Sequence, residues 1–236
     1  MLRPSPDALL RRKYTALLPI LLVGLVIQTT GVTLPAFKYV LDGLATVLAI
    51  AIFVVVFGRG RRRGRIAAAA LLLALLALGW ARSLAGPAPP AALSIAYQSA
   101  SAAFYWLAVG AILRDLFRHP PLGAENVRGS ICGYLIAGAA WGSVNALAWL
   151  LAPATFGVDP HIAAMLDEAT TRQSLFTYYS FAQMMTIGYA DVTPLRAPAT
   201  TLSLLAALFG VFYTAVVVSQ LVAVARVPPD RTPGDH

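Results

Sequence analysis

The stretch that decides the fold is MMTIGYADVTP, residues 184–194, because it interrupts an otherwise apolar part of the chain. Gly188, Asp191 and Pro194 rule it out as the middle of a transmembrane helix. Non-helical backbone at membrane depth is tolerated only where protein buries it or where it lines a water-filled cavity. The stretch is therefore predicted to be an extended segment within the bilayer whose carbonyl groups need partners.

The residues just before it, TTRQSLFTYYSFAQMMT (170–186), are predicted to form a half-helix. Thr170 or Thr171 is a candidate N-cap, and about a dozen helix-compatible residues follow. A span needs about 20 apolar residues, so this helix can enter a bilayer but cannot cross it. The C-terminal end of a half-helix carries partial negative charge, and rings of carbonyls can replace an ion's hydration shell. Metal cations are thus natural partners for the returning segment.

The sequence TIGYAD (186–191) resembles the potassium-channel signature Thr-Val-Gly-Tyr-Gly-Asp, and FTYYSFAQMM (176–185) resembles the pore helix of that family. The resemblance covers about residues 172–226, whereas the first four spans match only in number and topology. It implies an all-α membrane protein with six transmembrane helices, a re-entrant pore helix and a selectivity-filter strand, assembled as a tetramer.

By the same resemblance, Thr186 would contribute its carbonyl and hydroxyl to the innermost ion site. Ile187, Gly188 and Tyr189 would contribute carbonyls to the sites above it. Turning successive carbonyls toward one axis alternates the backbone dihedrals, so that alternate residues need positive φ. This requirement gives Gly188 a reason to be glycine.

The filter would be supported from behind by the aromatic pair Tyr178 and Tyr179. Tyr189 would point away from the ion and pack against that pair, fixing the pore width. Asp191 would lie at the outer mouth, with the hydroxyl of Tyr179 as the best candidate to hold it.

The chain departs from the family pattern at three positions. Ala190 replaces the second glycine of the signature, and an alanine at positive φ costs about 1 kcal/mol or more in each subunit. Met185 replaces a common threonine behind the filter, and Ala182 stands where some members carry a glutamate. None of these changes removes the carbonyl ladder, so potassium remains the favoured ion. Gly210 is either a gating hinge of the inner helix or a close-packing glycine, and the sequence does not decide between them.

The composition points to a membrane protein in its own right. The 236 residues are 58% hydrophobic and only 12% charged, against about 25% charged in soluble domains. The net charge of +8 comes from basic residues dispersed over short loops, so we expect no nucleic-acid partner. Cys132 is the single cysteine, which excludes an intrachain disulfide.

Six apolar runs are long enough to be predicted as spans, the first read as an uncleaved span rather than a signal peptide. They cover roughly residues 14–34, 39–57, 66–85, 92–116, 129–152 and 198–225. Alternating loops place fourteen of the eighteen basic residues on one side. The positive-inside rule makes that side cytoplasmic, with both termini inside a plasma membrane, most simply a bacterial inner membrane.

The predicted organisation has four parts. A cytoplasmic tail (1–13) is followed by a four-helix region (14–118) that is not a typical voltage sensor, because its fourth span holds Arg114 alone near the cytoplasmic end. The pore domain (119–226) contains the outer helix 129–152, pore helix 172–185, filter 186–191 and inner helix 198–225. A disordered cytoplasmic tail (227–236) ends the chain. One pore loop per chain requires four copies, hence a homotetramer.

The sequence therefore predicts a passive potassium channel, not an enzyme, with lipids and copies of itself as partners and no cofactor besides permeant K⁺. A non-selective cation channel shares the architecture but would fail ion discrimination because of Ala190. A secondary transporter would show paired broken helices, and only one broken segment exists. A membrane enzyme would need clustered nucleophiles, metal ligands or acids at one depth, and the sequence shows no such cluster. A non-conducting subunit or scaffold remains an alternative. Among the remaining polar residues, Asp42 is expected to pair with Lys38 one turn earlier.

Overall fold

Eight helices and two short strands make up the described part of the chain. The computed structural model describes residues 13–29, 37–58, 62–118, 124–164, 166–188 and 191–225. The helices are α1 (Lys13–Thr29), α2 (Phe37–Phe57), α3 (Arg62–Leu84), α4 (Ala91–Arg118), α5 (Ala124–Leu151), α6 (Pro160–Ala163), α7 (Ala169–Met184) and α8 (Ala199–Ala225). The strands are β1 (Phe156–Val158) and β2 (Val192–Pro194), and a 3-10 turn, Pro153–Thr155, follows α5.

Five of these helices, α2, α3, α4, α5 and α8, are long and apolar enough to cross a membrane. α1 is also apolar, but it has 17 residues and contains Pro19. At 1.5 Å per residue it extends about 26 Å, slightly less than a bilayer core of about 30 Å. Residues 30–34, over which this first span was predicted to continue, lie outside the described residues.

The re-entrant helix α7 begins earlier than the sequence predicted. Its N-cap residue is Glu168, and the Thr171 hydroxyl donates to the Glu168 carboxylate at 2.9 Å. The prediction of an N-cap at Thr170 or Thr171 was therefore wrong. The 16 residues of α7 span about 24 Å, which keeps it a half-helix.

α5 is the central helix, in contact with α1, α4, α7 and α8. Four glycines make these contacts possible, because a Cβ at each would meet a neighbouring helix closely. The pairs are Gly129 with the Tyr14 ring, Gly133 with the Tyr213 hydroxyl, Gly138 with the Phe181 ring and Gly142 with the Thr177 backbone. Small residues thus let larger ones from three helices approach the α5 backbone, as is common between membrane helices.

A carboxylate on α5 holds the first turn of α1. Glu125 accepts hydrogen bonds from the backbone N–H of Tyr14 at 2.6 Å and of Thr15 at 3.2 Å, and from the Thr15 hydroxyl at 2.7 Å. The first N–H groups of a helix have no partner within it, so Glu125 caps α1 from a distant part of the chain. Next to it, Asp115 of α4 accepts from Lys13 and from the Tyr14 hydroxyl. We call this group, Lys13, Tyr14, Thr15, Asp115, Glu125 and Arg128, the ionic cluster.

Strands β1 and β2 pair antiparallel on the segments that flank α7. Val158 lies opposite Val192, and the Thr193 hydroxyl donates to the Gly157 carbonyl. The N–H groups of Leu195 and Arg196 both donate to the Thr155 carbonyl. The chain that returns from residues 186–191 is therefore fixed to the chain that enters α7, which limits the positions the filter segment can take.

Candidate functional site: the pore loop

The filter segment is positioned by the burial of α7, which packs against α5, α8 and α1. Phe176 and Tyr179 lie in an aromatic cluster with Trp149 of α5 and Phe156 of β1, with ring centroids 5.5–6.4 Å apart. On another face, the buried Ser180 hydroxyl accepts a hydrogen bond from the Asn145 amide at 3.1 Å. A buried hydrogen bond between α5 and α7 fixes the rotation of the pore helix in a way that apolar contacts alone would not.

The C-terminal end of α7 is a Schellman motif, which turns the chain into the filter segment. Thr186 N–H donates to the Gln183 carbonyl at 3.0 Å, and Ile187 N–H donates to the Ala182 carbonyl at 2.9 Å. The motif needs a left-handed residue, and Thr186 takes it with φ 56°. Left-handed backbone is rare for a β-branched residue and costs on the order of 1–3 kcal/mol. Glycine usually occupies this position, so a threonine here indicates a functional use for its side chain.

Positive φ recurs two residues later. Gly188 has φ 69°, so Thr186 and Gly188 are both left-handed with Ile187 between them. The predicted positive φ at Gly188 is thus present. Tyr189 and Ala190, for which carbonyl and packing roles were predicted, lie outside the described residues. In the single chain Thr186, Ile187 and Gly188 are exposed, Ile187 by 49%.

The Thr186 hydroxyl donates to the Met185 carbonyl at 2.7 Å. The oxygen keeps its lone pairs, since a hydroxyl that donates one bond can still act as an acceptor. Residue 186 therefore has two oxygens that can accept, the carbonyl and the hydroxyl.

Tyr179 does not hold Asp191, contrary to the sequence prediction. Its hydroxyl is hydrogen-bonded to Ser203 of α8. Tyr179 is only 1% exposed, whereas Asp191 is exposed. The family-based assignment located the tyrosine correctly on the pore helix, but the rotation of α7 directs the hydroxyl toward the inner helix. Tyr178, the other aromatic of the pair, is half-buried.

Gly210 of α8 lies directly against the end of α7. A Cβ there would overlap the Met184 carbonyl group and would come within 2.7 Å of Met184 Cα. α8 continues as an α-helix through this position. Of the two interpretations the sequence left open, close packing is the one this contact explains, since only glycine lets α8 touch the backbone at the end of α7.

Polar contacts to the first four helices are a part of the site that sequence reasoning missed. Gln173 accepts from Gln98 of α4 at 2.7 Å, and the Ser174 hydroxyl donates to the Gln28 carbonyl of α1 at 2.7 Å. Arg172 donates to Ser94 of α4, and the Ala169 N–H donates to the carbonyl of Pro87. The only sequence signal was the presence of Ser94, Gln98 and Ser101 within an apolar span, at spacings that put them on one helix face.

Residues 144–226 match the family model described as Ion channel. This segment is similar to an ion-channel module. It contains the second half of α5, the pore helix, the filter segment and α8, so the recognition made from TIGYAD is confirmed. No curated protein and no solved structure matches the chain. With its apolar helices and this module, the chain is a membrane protein, and the match favours a channel over an enzyme.

Proposed function

We propose that the protein is a potassium-selective channel that lets K⁺ pass down its gradient through a homotetrameric pore. The observation that carries the proposal is the backbone at the end of α7, where Thr186 and Gly188 take positive φ on alternate residues of TIGYAD. That alternation is the geometry expected when successive carbonyls turn to the same side. Rings of such carbonyls replace the hydration shell of K⁺ in potassium channels.

Four copies are proposed because one chain supplies a single filter segment. The oxygens of Thr186, Ile187 and Gly188 lie on an exposed surface of the single chain and would form a cage only with symmetry mates. The adjacent helix α8 exposes a row of large apolar side chains that a neighbouring α8 or lipid would cover. They are Leu204, Leu205, Leu208, Val211 and Phe212.

The end of the molecule that carries the ionic cluster is proposed to be cytoplasmic. Contacts of α1 with α4 and α5 bring the start of α1, the end of α4 and the start of α5 to one end. The start of α3, with Arg62, Arg63 and Arg65, belongs to the same end if the helices alternate in direction. An excess of Arg and Lys on one side favours cytoplasmic placement, and a plasma membrane, such as a bacterial inner membrane, is the proposed location.

The decisive experiment is uptake of ⁸⁶Rb⁺ into proteoliposomes, with Ba²⁺ as blocker and Na⁺ as competitor. We expect uptake that Ba²⁺ blocks and that excess Na⁺ leaves almost unchanged. Equal passage of Na⁺ and K⁺ would instead support a non-selective cation channel, the alternative that Ala190 suggests. Absence of uptake across pH and voltage would support a non-conducting subunit.

A matched pair of glycines tests whether the filter backbone is responsible. Gly188 (φ 69°) and Gly86 (φ 100°), in the loop between α3 and α4, are both left-handed, and a Cβ at either meets nothing within 4 Å. Alanine adds about 1–2 kcal/mol of backbone strain at either position. We expect Gly188→Ala to abolish selective flux and Gly86→Ala to preserve it. Equal loss in both variants would contradict the proposed role of residue 188.

Ala190→Gly tests the selectivity part of the proposal. A second glycine removes the cost of a positive φ at residue 190, so the outermost site should bind K⁺ better. We expect the permeability ratio of K⁺ to Na⁺, measured from bi-ionic reversal potentials, to rise. Unchanged discrimination would mean that Ala190 does not limit selectivity.

We expect little intrinsic voltage dependence. The positions of α4 that contact α7 are the neutral residues Ser94 and Gln98, whereas Arg114 is exposed near the end of the helix. Moving one charge through the field contributes about 2.3 kcal/mol per 100 mV, and steep gating needs several such charges per subunit. A steep conductance–voltage curve of the purified protein would contradict this expectation.

A further inference from the structure

A partly open cavity lies between the first four helices and the outer half of the pore helix. The walls come from α1, α2, α3, α4, α5 and α7. The polar residues among them include Asp42, Arg82, Ser101, Ser143, Gln173 and Ser174.

Several polar atoms in this cavity have no partner. Arg82 is 7% exposed and its Nη1 donates no hydrogen bond, while Ser101 is 1% exposed and its hydroxyl has none either. The buried Oδ2 atom of Asp42 accepts no hydrogen bond. Buried polar groups in native proteins almost always have a partner, and a buried unpaired charge is costly. Three such atoms around one cavity indicate that something polar occupies it.

The charges in the wall specify what that occupant carries. Asp42 is a carboxylate on α2 and Arg82 a guanidinium on α3, and no ion pair joins the two within the described residues. Lys38, with which Asp42 was predicted to pair, has a side chain that lies outside the described residues. Arg82 is stacked on the Tyr97 ring at 3.9 Å, which fixes its position, and Arg172 lies close enough to add positive potential. A ligand with both a positive and a negative group would satisfy both walls.

A second, smaller cavity of mixed polar and apolar lining adjoins the first. It shares Asp42, Ala45, Tyr97 and Tyr105 with the polar cavity and continues between α2, α3 and α4. Its further lining includes Ala49, Leu75, Leu76 and Trp80. Apolar side chains therefore lie next to the two charged groups, as the binding of an amphipathic molecule with a charged head requires.

The depth of the site agrees with a lipid headgroup. Gln28 is one residue before the end of α1, Arg82 two before the end of α3, and Asp42 five after the start of α2. At 1.5 Å per residue these three positions lie within about 8 Å of the helix ends, where the headgroup region of a bilayer begins. Ser101 is ten residues into α4, about 15 Å from its start, and forms the deep end of the site.

We propose that this cavity binds a zwitterion with a primary ammonium and a phosphate, in the first instance the headgroup of phosphatidylethanolamine. The ammonium donates to Asp42, the phosphate accepts from Arg82, and Ser101 supplies a further hydrogen bond. Gln173 and Ser174 belong both to the cavity wall and to α7, so occupancy is felt at the pore helix. The binding is independent of ion selectivity, and only its effect on flux rests on the proposed function.

Native mass spectrometry of the full-length protein tests the binding. The purified protein is offered phosphatidylethanolamine together with phosphatidylglycerol, which lacks the amine, or phosphatidylcholine, whose amine cannot donate. We expect retention of phosphatidylethanolamine at least about fivefold above either competitor. Equal retention of all three would overturn the proposal and leave water as the partner of these atoms.

Variants assign the preference to the cavity. Asp42→Asn is isosteric and Arg82→Gln replaces the guanidinium by a shorter, neutral amide; each should abolish the preference. Arg82→Lys keeps the charge and should preserve most of it. The controls Asp159→Asn and Arg65→Gln alter exposed residues and should leave it unchanged. If the preference for phosphatidylethanolamine survived in both cavity variants, the proposal would be overturned. If a variant does not fold, the comparison of headgroups on the wild-type protein decides.

A second experiment decides whether the zwitterion is a lipid headgroup or a free molecule. Soluble O-phosphoethanolamine is titrated against the lipid-depleted protein, with the thermal unfolding temperature as readout. A rise that disappears in Asp42→Asn, without selective lipid retention, assigns the site to a free zwitterion. If the protein showed no lipid preference and no thermal shift, the proposed binding itself would be overturned. Selective binding with unchanged ⁸⁶Rb⁺ flux would refute only the coupling to α7.

Discussion

The central helix α5 and the peripheral helices α2 and α3 are all predicted spans, yet they differ in how they are held. More than half of the α5 span, 56%, is buried against the rest of the chain, compared with 17% for each of α2 and α3. α5 has a lower hydropathy than α2 and α3, yet it is the most buried of the three. In a membrane, apolarity measures contact with lipid, whereas packing between helices uses small and polar residues.

The glycines show the same contrast. In the pore half, Gly138 lies under the Phe181 ring and Gly210 against the Met184 backbone. In the first four helices, Gly43, Gly64 and Gly110 would each accept a Cβ with nothing within 4 Å, although Gly24 lies against the Leu48 side chain. Glycines that meet backbone or rigid rings are therefore concentrated on α5 and α8, whereas several glycines of the first four helices are neutral choices.

Substituting alanine for these glycines should give the largest effect. In Gly210→Ala the added carbon meets backbone, which cannot rotate away, so α8 must move off α7. We expect a loss of stability of about 1–3 kcal/mol or more and loss of ⁸⁶Rb⁺ flux, because the base of the filter shifts with it. Gly110→Ala should be neutral or slightly stabilising, as alanine is the better helix former. Unfolding in detergent followed by size-exclusion chromatography measures the difference.

This comparison separates packing from hinge motion at residue 210. A hinge glycine would change gating with little effect on the unfolding temperature. A packing glycine lowers that temperature and the flux together. Gly210→Ala with wild-type stability and altered open probability would therefore show that bending, rather than the contact with Met184, matters here.

Glu125 should give the next largest effect, because it fastens the short helix α1 to α5. In Glu125→Ala the N–H groups of Tyr14 and Thr15 lose their acceptor, at an expected cost of about 1–3 kcal/mol. Glu168→Ala is the matched control, since Glu168 is exposed and accepts one hydroxyl from Thr171. Limited proteolysis near residue 13 measures release of α1. Equal protection of both variants would show that apolar packing alone holds α1.

The Tyr179–Ser203 bond tests how α8 is joined to the pore helix. We expect Tyr179→Phe and Ser203→Ala to destabilise the protein by about 1 kcal/mol each, with a coupling energy near 1 kcal/mol in the double variant. The pair Tyr179→Phe and Asp191→Asn should be additive. Coupling with Asp191 instead of Ser203 would restore the role that the family pattern suggested for this tyrosine.

The sequence predicted the features that short segments encode by themselves. The half-helix, the break at residues 186–191 and the inner helix all follow from local composition and one short motif. It did not predict that Glu125 caps α1, that Tyr179 bonds Ser203, or that Gln98 meets Gln173. These pairs join residues 24 to 111 positions apart, and which partners meet depends on the rotation and depth of each helix. Hydrophobic runs fix neither quantity, because lipid accepts any rotation of an apolar helix.

The smallest effect is expected for the ion pair between Lys13 and Asp115 in the ionic cluster. Lys13 and Asp115 are 2.7 Å apart, but both side chains are about one-third exposed, so water and salt screen the pair. We expect Lys13→Met to cost about 0–1 kcal/mol, and the difference from wild type to shrink between low and high ionic strength. The cost of Glu125→Ala should change little with salt, because most of its bonds go to groups of α1 that carry no net charge. If the two variants responded equally to salt, the cap on α1 would be a matter of net charge rather than of directed hydrogen bonds.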